Sequence, residues 1–231
     1  LIEAVSFAAG ESYQLALNVL NGLGLESMLT VKGSVNGNRD EDIDTMFVVE
    51  LLDGKAVLQP SLAEAIHATG PFWPKDFTFT KVNAALEINN GAVEITNATC
   101  EFVVTKEEKG SVEATMTIDK GEFKLALLGT KLPISNRFVN VLPTSLSESL
   151  SNAWSMFNPG GVMDAEINIS KIDGEDTLFL DVQPTALTIS GDNKTVALNL
   201  VNGSIVVENT NVFLNDLQFE LQREGQQQGA L

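Results

Sequence analysis

The 231-residue sequence has one cysteine and one histidine, and this scarcity excludes several kinds of chemistry. A disulfide within the chain needs two cysteines, so Cys100 cannot form one. Histidine-dependent triads and the common zinc sites have too few residues to draw on, since His67 is the single histidine. The G-x-S-x-G, P-loop, G-x-G-x-x-G, H-E-x-x-H and C-x-x-C motifs are absent. We therefore expect a protein that is not an enzyme, with no catalytic residue, metal or cofactor.

Basic residues and long apolar runs are also scarce. Fourteen Lys and Arg stand against 31 Asp and Glu, a net charge of −17, and such a surface repels phosphate backbones. Nucleic acid is therefore not an expected partner. No run approaches the roughly 20 apolar residues of a membrane-spanning helix, and the start lacks the layout of a signal peptide. The chain begins at Leu1 without a methionine, so we interpret it as a segment of a longer protein.

Alternation of apolar and polar residues with period two is abundant, and this period is typical of β-strands. One predicted face carries Leu86, Ile88, Val93, Ile95, Cys100 and Phe102, and the other carries Glu87, Glu94, Thr99 and Glu101. The "NNG" at Asn89 and the "DKG" at Asp119 favour tight hairpin turns. The pattern predicts an antiparallel meander.

The alternating pattern occurs twice in similar form. "VNAALEINNGAVEITNATCEF" begins at Val82, and "VNGSIVVENTNVFLNDLQFEL" begins 119 residues later (201 − 82) at Val201. Upstream, "DTMFVVE" matches "DTLFLDV", and "MLTVKGSV" matches "VMDAEINI". We predict a first helix-plus-meander repeat over residues 1–142, with an inserted helix and loop near 60–76. A second repeat, truncated at its C-terminal end, is predicted over 143–231.

Each predicted copy begins with a short amphipathic helix. The segment from Ser145 to Phe157 carries an apolar stripe, and Ser145 and Glu148 form a capping box; the earlier counterpart runs from Tyr13 to Leu23. Two such helices cannot cover the apolar side of ten or more strands. The predicted fold class is therefore mainly β, a curled antiparallel β-sheet forming an open groove or taco-like β-repeat.

One long stretch suggests a family. "LPISNRFVNVLPTSLSESLSNAWSMFNPGGVMDAEINI", together with "LFLDVQPTALTI" and "TGPFWPKDFTFTKVNAALEINNGAVEI", resembles the AsmA-like and TamB-like bacterial envelope proteins. The resemblance implies a β-rich hydrophobic groove in the periplasm, in a parent protein anchored in the inner membrane. It also implies phospholipid transport or outer-membrane assembly, with acyl chains, neighbouring repeats and outer-membrane assembly factors as partners.

The groove hypothesis names eight residues as lining a lipid-contacting face. These are Leu86, Ile88, Val93 and Ile95 in the first copy and Ile205, Val207, Val212 and Leu214 in the second. Each would only add dry surface, so none is expected to be essential on its own.

Several alternatives stay open at this point. The same strands suit a closed β-sandwich that serves as a spacer or binding module of a secreted or surface protein without lipid. Paired carboxylates could hydrolyse glycosides, although sequence spacing does not show that two of them share a cleft. Asp40, Asp42 and Asp44 could bind calcium, but they lack EF-hand spacing. Trp154 and Phe157 could form a lipid gate or simply pack in the core.

Overall fold

Ten strands form one antiparallel sheet in the computed structural model, which describes residues 21–22, 24–36, 44–57, 78–90, 92–136, 151–152, 154–191, 194–209 and 211–221. The strands are β1 (Leu25–Asn36), β2 (Asp44–Val57), β3 (Thr78–Asn89), β4 (Ala92–Val103), β5 (Lys109–Asp119), β6 (Glu122–Pro133), β7 (Gly160–Ile172), β8 (Glu175–Gly191), β9 (Lys194–Glu208) and β10 (Asn211–Leu221). Each strand pairs with the next along the chain, so β1 and β10 are the edge strands of an open sheet among the described residues. The predicted mainly β, antiparallel fold class is confirmed.

The hairpin turns fall where turn residues occur in the sequence. Asn90 between β3 and β4 has a φ of 47°, and Lys120 and Gly121 between β5 and β6 have φ values of 48° and 84°. Asp173 turns β7 into β8 with a φ of 51°, and Asn209 turns β9 into β10 with a φ of 54°. Asparagine, aspartate and glycine tolerate this left-handed conformation better than other residues, which explains why the chain reverses at these points.

β-bulges interrupt most of the strand pairings. At Asp53 in β2 and Lys131 in β6 the backbone is left-handed, with φ values of 49° and 53°. The neighbouring strand holds each bulge with a side chain. Asn83 Oδ1 accepts a hydrogen bond from the Asp53 N–H at 3.1 Å, and Asp164 Oδ1 accepts one from the Lys131 N–H at 2.8 Å. These bonds occupy amide groups that the bulge removes from the regular ladder.

A bulge can keep two apolar side chains on one face even when they are an odd number of positions apart along the strand. Ile95 and Cys100 are five positions apart (100 − 95), which places them on opposite faces of a regular strand. The register shifts at residues 96–97, so that Ile95 lies opposite Met116 and Cys100 lies opposite Val112. Met116 and Val112 are an even number of positions apart on β5, so all four side chains point the same way.

Two clusters of buried residues lie on this face of the described sheet. The larger cluster draws on β2 to β6 and contains Leu51, Leu86, Ile88, Val93, Ile95, Met116, Ile118 and Phe123. The smaller contains Phe102, Val112, Leu132, Met163 and Ala165. All described strands belong to one sheet, so the described residues do not form the two layers of a closed β-sandwich.

The two-repeat hypothesis stays a prediction, although its matched blocks lie on corresponding strands. The three matched segments of the first copy occupy β1 to β4, and those of the second occupy β7 to β10. Residues 151–152 and 154–157 of the predicted second helix are helical. The first predicted helix apart from residues 21–22, the insertion near 60–76, the boundary at 142 and 143, His67, Asp40 and Asp42 lie outside the described residues.

Candidate apolar binding face

Rows of apolar side chains run across the sheet from strand to strand. Residues directly opposite each other in antiparallel strands point to the same face, so the register traces these rows. One row crosses β1 to β8 and contains Val31, Val49, Leu86, Ile95, Met116, Leu125, Ile169 and Leu178. Two more cross β4 to β10: Ala98, Ala114, Leu127, Ile167, Leu180, Val207 and Val212, and Cys100, Val112, Gly129, Ala165, Val182, Ile205 and Leu214.

A fourth row lies beside the first. It contains Phe47, Ile88, Val93, Ile118 and Phe123 and ends at Lys171 and Asp176, whose side chains form an ion pair at 3.9 Å. We call the surface formed by the three rows and the apolar part of the fourth the apolar face. All eight residues predicted to line a groove lie on it, and the register therefore brings both predicted sets onto one continuous surface.

Exposure divides these eight residues. Leu86, Ile88, Val93 and Ile95 are between 1% and 7% exposed, so they are core residues in this conformation. In the second set Val207 is 4% exposed and Ile205 is partly buried, whereas Val212 is 45% and Leu214 69% exposed. Only the β10 end of the apolar face is open to a ligand at these eight positions.

The opposite face is polar over most of the sheet and carries much of the acidic charge. Glu87 lies opposite Glu94, and Glu166 lies opposite Asp181, where like charges repel. One of the Asp181 carboxylate oxygens is buried without a hydrogen-bond partner. Apolar residues return on this face at the β10 end, where Val206 lies opposite Phe213.

A small charge network on the polar face stabilises one carboxylate. Glu101 accepts a hydrogen bond from Lys81 Nζ at 2.9 Å, and Lys109 Nζ lies 3.2 Å from its other oxygen. The hydrogen bonds from Lys81 and Lys109 lower the pKa of Glu101, while the Glu101 carboxylate raises the pKa of Lys81. The side chains of Lys81, Lys109 and Glu101 are 59%, 47% and 26% exposed, so this network is open to solvent.

A cavity of about 380 Å³ opens on the polar side of β4 to β7. Its lining combines polar residues, among them Asn97, Thr99 and Glu166, with the apolar residues Leu127 and Leu128 and three alanines. The described residues contain no group of three or more His, Cys, Asp or Glu side chains placed to hold a metal ion.

Cys100 lies on the apolar face and is partly buried. Burial raises the pKa of its thiol to about 11, which disfavours the thiolate that nucleophilic catalysis requires.

The aromatic residues of the predicted second helix differ in exposure: Trp154 is partly buried, whereas Phe157 is 48% exposed. The gate and packing interpretations of this pair both stay predictions.

Sequence reasoning missed the exposed apolar residues at the end of the sheet. Phe213, Phe219 and Leu221 are 45%, 36% and 59% exposed, and all lie on β10. At an offset of 119, Phe219 and Leu221 correspond to Cys100, which is partly buried, and Phe102, which is 2% exposed. Exposure at a sheet edge depends on the number of neighbouring strands, and the alternation pattern carries no signal for that number.

Comparisons with family models, curated proteins and solved structures gave no match to this chain. No helix among the described residues is long and apolar enough to span a bilayer.

Proposed function

We propose that the chain is a non-enzymatic segment of an envelope protein that offers its apolar face to phospholipid acyl chains. The observation that carries the proposal is the uninterrupted set of apolar rows, two of which reach the exposed Val212 and Leu214. A surface of this kind removes a hydrocarbon chain from water without a specific polar contact, and each buried methylene contributes roughly 0.8 kcal/mol. The expected role is therefore binding or passage of acyl chains, as part of phospholipid transport or outer-membrane assembly.

The wider context of the proposal rests on the sequence resemblance to AsmA-like and TamB-like proteins. That resemblance supplies the periplasmic location, the inner-membrane anchor of the parent protein, the neighbouring repeats and the outer-membrane assembly factors as partners. The acidic polar face supports acyl chains rather than headgroups as the bound part, because a net charge of −17 repels anionic headgroups.

The open end of the face gives a matched pair of variants for the test. Val212 and Phe213 are adjacent on β10 and both are 45% exposed, yet they point to opposite faces. Binding is measured as the fluorescence change of a phosphatidylcholine with a pyrene-labelled acyl chain. Val212→Asp places a charge on the apolar face and should weaken binding strongly, whereas Phe213→Asp should leave it close to that of the unchanged chain.

Two results of this binding experiment would contradict the proposal. If the folded, unchanged chain gives no saturable fluorescence change, a spacer function without lipid is the better hypothesis. If both aspartate variants bind like the unchanged chain, the acyl chain does not lie on the β10 end of the apolar face. Circular dichroism on both variants checks that neither result comes from unfolding.

A further inference from the structure

Residues 211–215 of β10 form a stretch at the edge of the described sheet without a charged residue, a proline or a register shift. Its large apolar side chains are exposed on both faces, with Val212 and Phe213 45% and Leu214 69% exposed. Its only strand partner in the described part of the chain is β9. β10 contains no lysine and no proline, and its acidic residues and register shifts all come after residue 215. The other edge strand, β1, does carry a lysine, Lys32.

The hairpin fixes which backbone groups of β10 point to the free edge. Glu208 lies opposite Asn211 and closes the turn at Asn209, so this pair exchanges its hydrogen bonds across the hairpin. Hydrogen-bonded and non-bonded pairs alternate along an antiparallel ladder. The N–H and C=O groups of Val212 and Leu214 therefore point away from β9, toward the free edge.

The sequence of this part of β10 is complementary to itself. In "NVFLN", residues 211–215, antiparallel pairing about Phe213 places Asn211 opposite Asn215, Val212 opposite Leu214, and Phe213 opposite its own copy. The backbone groups of Val212 then meet those of Leu214 in the other chain, which is the phase that the hairpin provides. Amide, aliphatic and aromatic side chains each meet their own kind, which favours cross-strand pairing.

We propose that the occupant of this edge is a second copy of the chain, paired β10 to β10 about Phe213. The two-fold axis keeps directly opposite residues on the same face, so the apolar faces of the two copies join. The row that ends at Val212 continues through Leu214 of the other copy to its Ile205 and Val182. A register centred on Asp216 is disfavoured because it opposes two like charges.

The oligomeric mass of the unchanged chain is the first test, measured by light scattering over a concentration series. We expect a dimer that dissociates on dilution. Leu214→Pro removes a donor from the free edge without removing a β9 hydrogen bond, so this variant should have the mass of one chain at every concentration. Val31→Asp is the control, because Val31 lies on the other edge strand and is 42% exposed. It should leave the dimer intact.

Three outcomes overturn the proposal. They are a monomer for the unchanged chain at every concentration, a dimer that survives Leu214→Pro, and loss of the dimer in Val31→Asp. The last outcome indicates pairing of β1 with β10 in a head-to-tail manner. Circular dichroism on Leu214→Pro checks that the strand variant has kept its fold.

Cysteine crosslinking tests the register. In a Cys100→Ala background, Phe213→Cys places two thiols at the two-fold axis, in a non-hydrogen-bonded pair whose short separation suits a disulfide. Asn215→Cys places its thiol opposite Asn211 of the other copy, so it should not crosslink. A disulfide-linked dimer on a non-reducing gel is expected for Phe213→Cys alone. Equal crosslinking of both variants, or crosslinking of Asn215→Cys alone, contradicts the register.

The dimer and the lipid proposal can fail separately. Phe213→Asp opposes two charges across the axis and should abolish the dimer while each chain still binds the acyl probe. Val212→Asp should lose both. If Phe213→Asp is a monomer that does not bind the probe, the apolar face of one chain is insufficient for lipid. If Phe213→Asp is still a dimer and binds the probe normally, only the self-pairing proposal is contradicted.

Discussion

The hairpin β3–β4 and the hairpin β9–β10 have matching apolar patterns 119 residues apart, but their side chains differ sharply in exposure. Val93 of β4 is 1% exposed, whereas Val212, its equivalent in β10 (212 − 93 = 119), is 45% exposed. Both lie on the apolar face. The strand β4 has a neighbour on each side, while β10 pairs only with β9 among the described strands. The same sequence pattern thus gives core in one place and accessible surface in another, according to position in the sheet.

The turns and bulges of the two hairpins are more alike than their burial. Asn90 and Asn209 occupy equivalent turn positions with φ values of 47° and 54°. The register of β4 shifts at Asn97, and that of β10 shifts at Asp216, again 119 residues apart (216 − 97). Local conformation depends on the sequence of the hairpin itself, while burial depends on what lies beside it. The following predictions use equivalent positions to test this distinction.

The largest expected effect comes from truncating equivalent aliphatic residues. Ile95 is 7% exposed, and its equivalent Leu214 is 69% exposed (214 − 95 = 119). Ile95→Ala should lower the free energy of unfolding by about 2–5 kcal/mol, because it removes buried methyl groups and leaves a cavity. Leu214→Ala should change it by less than about 0.5 kcal/mol. Urea unfolding of both variants measures the difference, and equal losses contradict the assignment of β10 as an exposed edge.

A second contrast uses Gly203 of β9, which lies opposite the bulge at Asp216 and Leu217 of β10. Gly203 has a φ of 96°, and a Cβ there would collide with the backbone oxygen of Asn215. Gly203→Ala should therefore destabilise the fold by about 1–3 kcal/mol, since alanine is strained in this conformation and the contact is with backbone. The equivalent residue of β3 is Ala84, and Ala84→Gly should cost only about 0.5–1 kcal/mol. A Gly203→Ala variant as stable as the unchanged chain in thermal unfolding contradicts this bulge geometry.

The side chain that holds the β2 bulge should have a moderate effect. Asn83 accepts a hydrogen bond from the Asp53 N–H at 3.1 Å and donates one to the Lys81 carbonyl at 2.9 Å. Asn83→Ala should cost about 1 kcal/mol, because an exposed bulge amide can exchange its partner for water. Asn83→Asp keeps the acceptor and should recover part of that loss. Urea unfolding compares the three proteins, and no loss in Asn83→Ala would show that the backbone alone maintains the bulge.

The smallest effect is a pH dependence of stability at Glu101. Hydrogen bonds from Lys81 and Lys109 lower the pKa of this carboxyl in the folded chain. The stabilisation is present above the pKa of glutamate in the unfolded chain and is lost as the pH falls through the lower, folded-state pKa. The stability difference between the unchanged chain and Glu101→Gln should therefore shrink between neutral pH and about pH 3. Thermal unfolding over that range measures it.

A control for this pH dependence exists on β10. Glu220 is the equivalent residue (220 − 101 = 119) and lies opposite Asn199. No ion pair joins Glu220 to a described lysine, so Glu220→Gln should alter the pH profile less than Glu101→Gln does. Equal changes in both variants would mean that overall charge, not the charge network around Glu101, sets the profile.

The fold class was predictable from the sequence because its signals are local. Alternation identified the strands, and "NNG" and "DKG" identified two turns that the structure bears out at Asn90 and Lys120. Ile95 and Cys100 are an odd number of positions apart, which indicates a bulge between them, and the structure has one at residues 96–97. The alternation pattern alone did not predict this bulge. A bulge can therefore be predicted from the sequence where two apolar residues of one strand are an odd number of positions apart.

The candidate site was predictable only in part. The face of all eight residues followed from alternation and pairing, but their accessibility did not. Ile88 and Val207 were equally good groove candidates in the sequence, and both are 4% exposed. An aspartate at either position is expected to unfold the chain, so neither can test lipid binding. Burial results from contacts between strands distant in sequence, which one chain's alternation does not encode.

Native mass spectrometry with lipid extraction tests the central claim most directly, namely that the exposed end of one continuous apolar face holds acyl chains. The chain should be produced in a bacterial periplasm and purified without detergent, as the unchanged protein and as Phe213→Asp. We predict near-stoichiometric phospholipid on each chain of both proteins. A folded chain that carries no lipid in either form contradicts the claim and favours a spacer function.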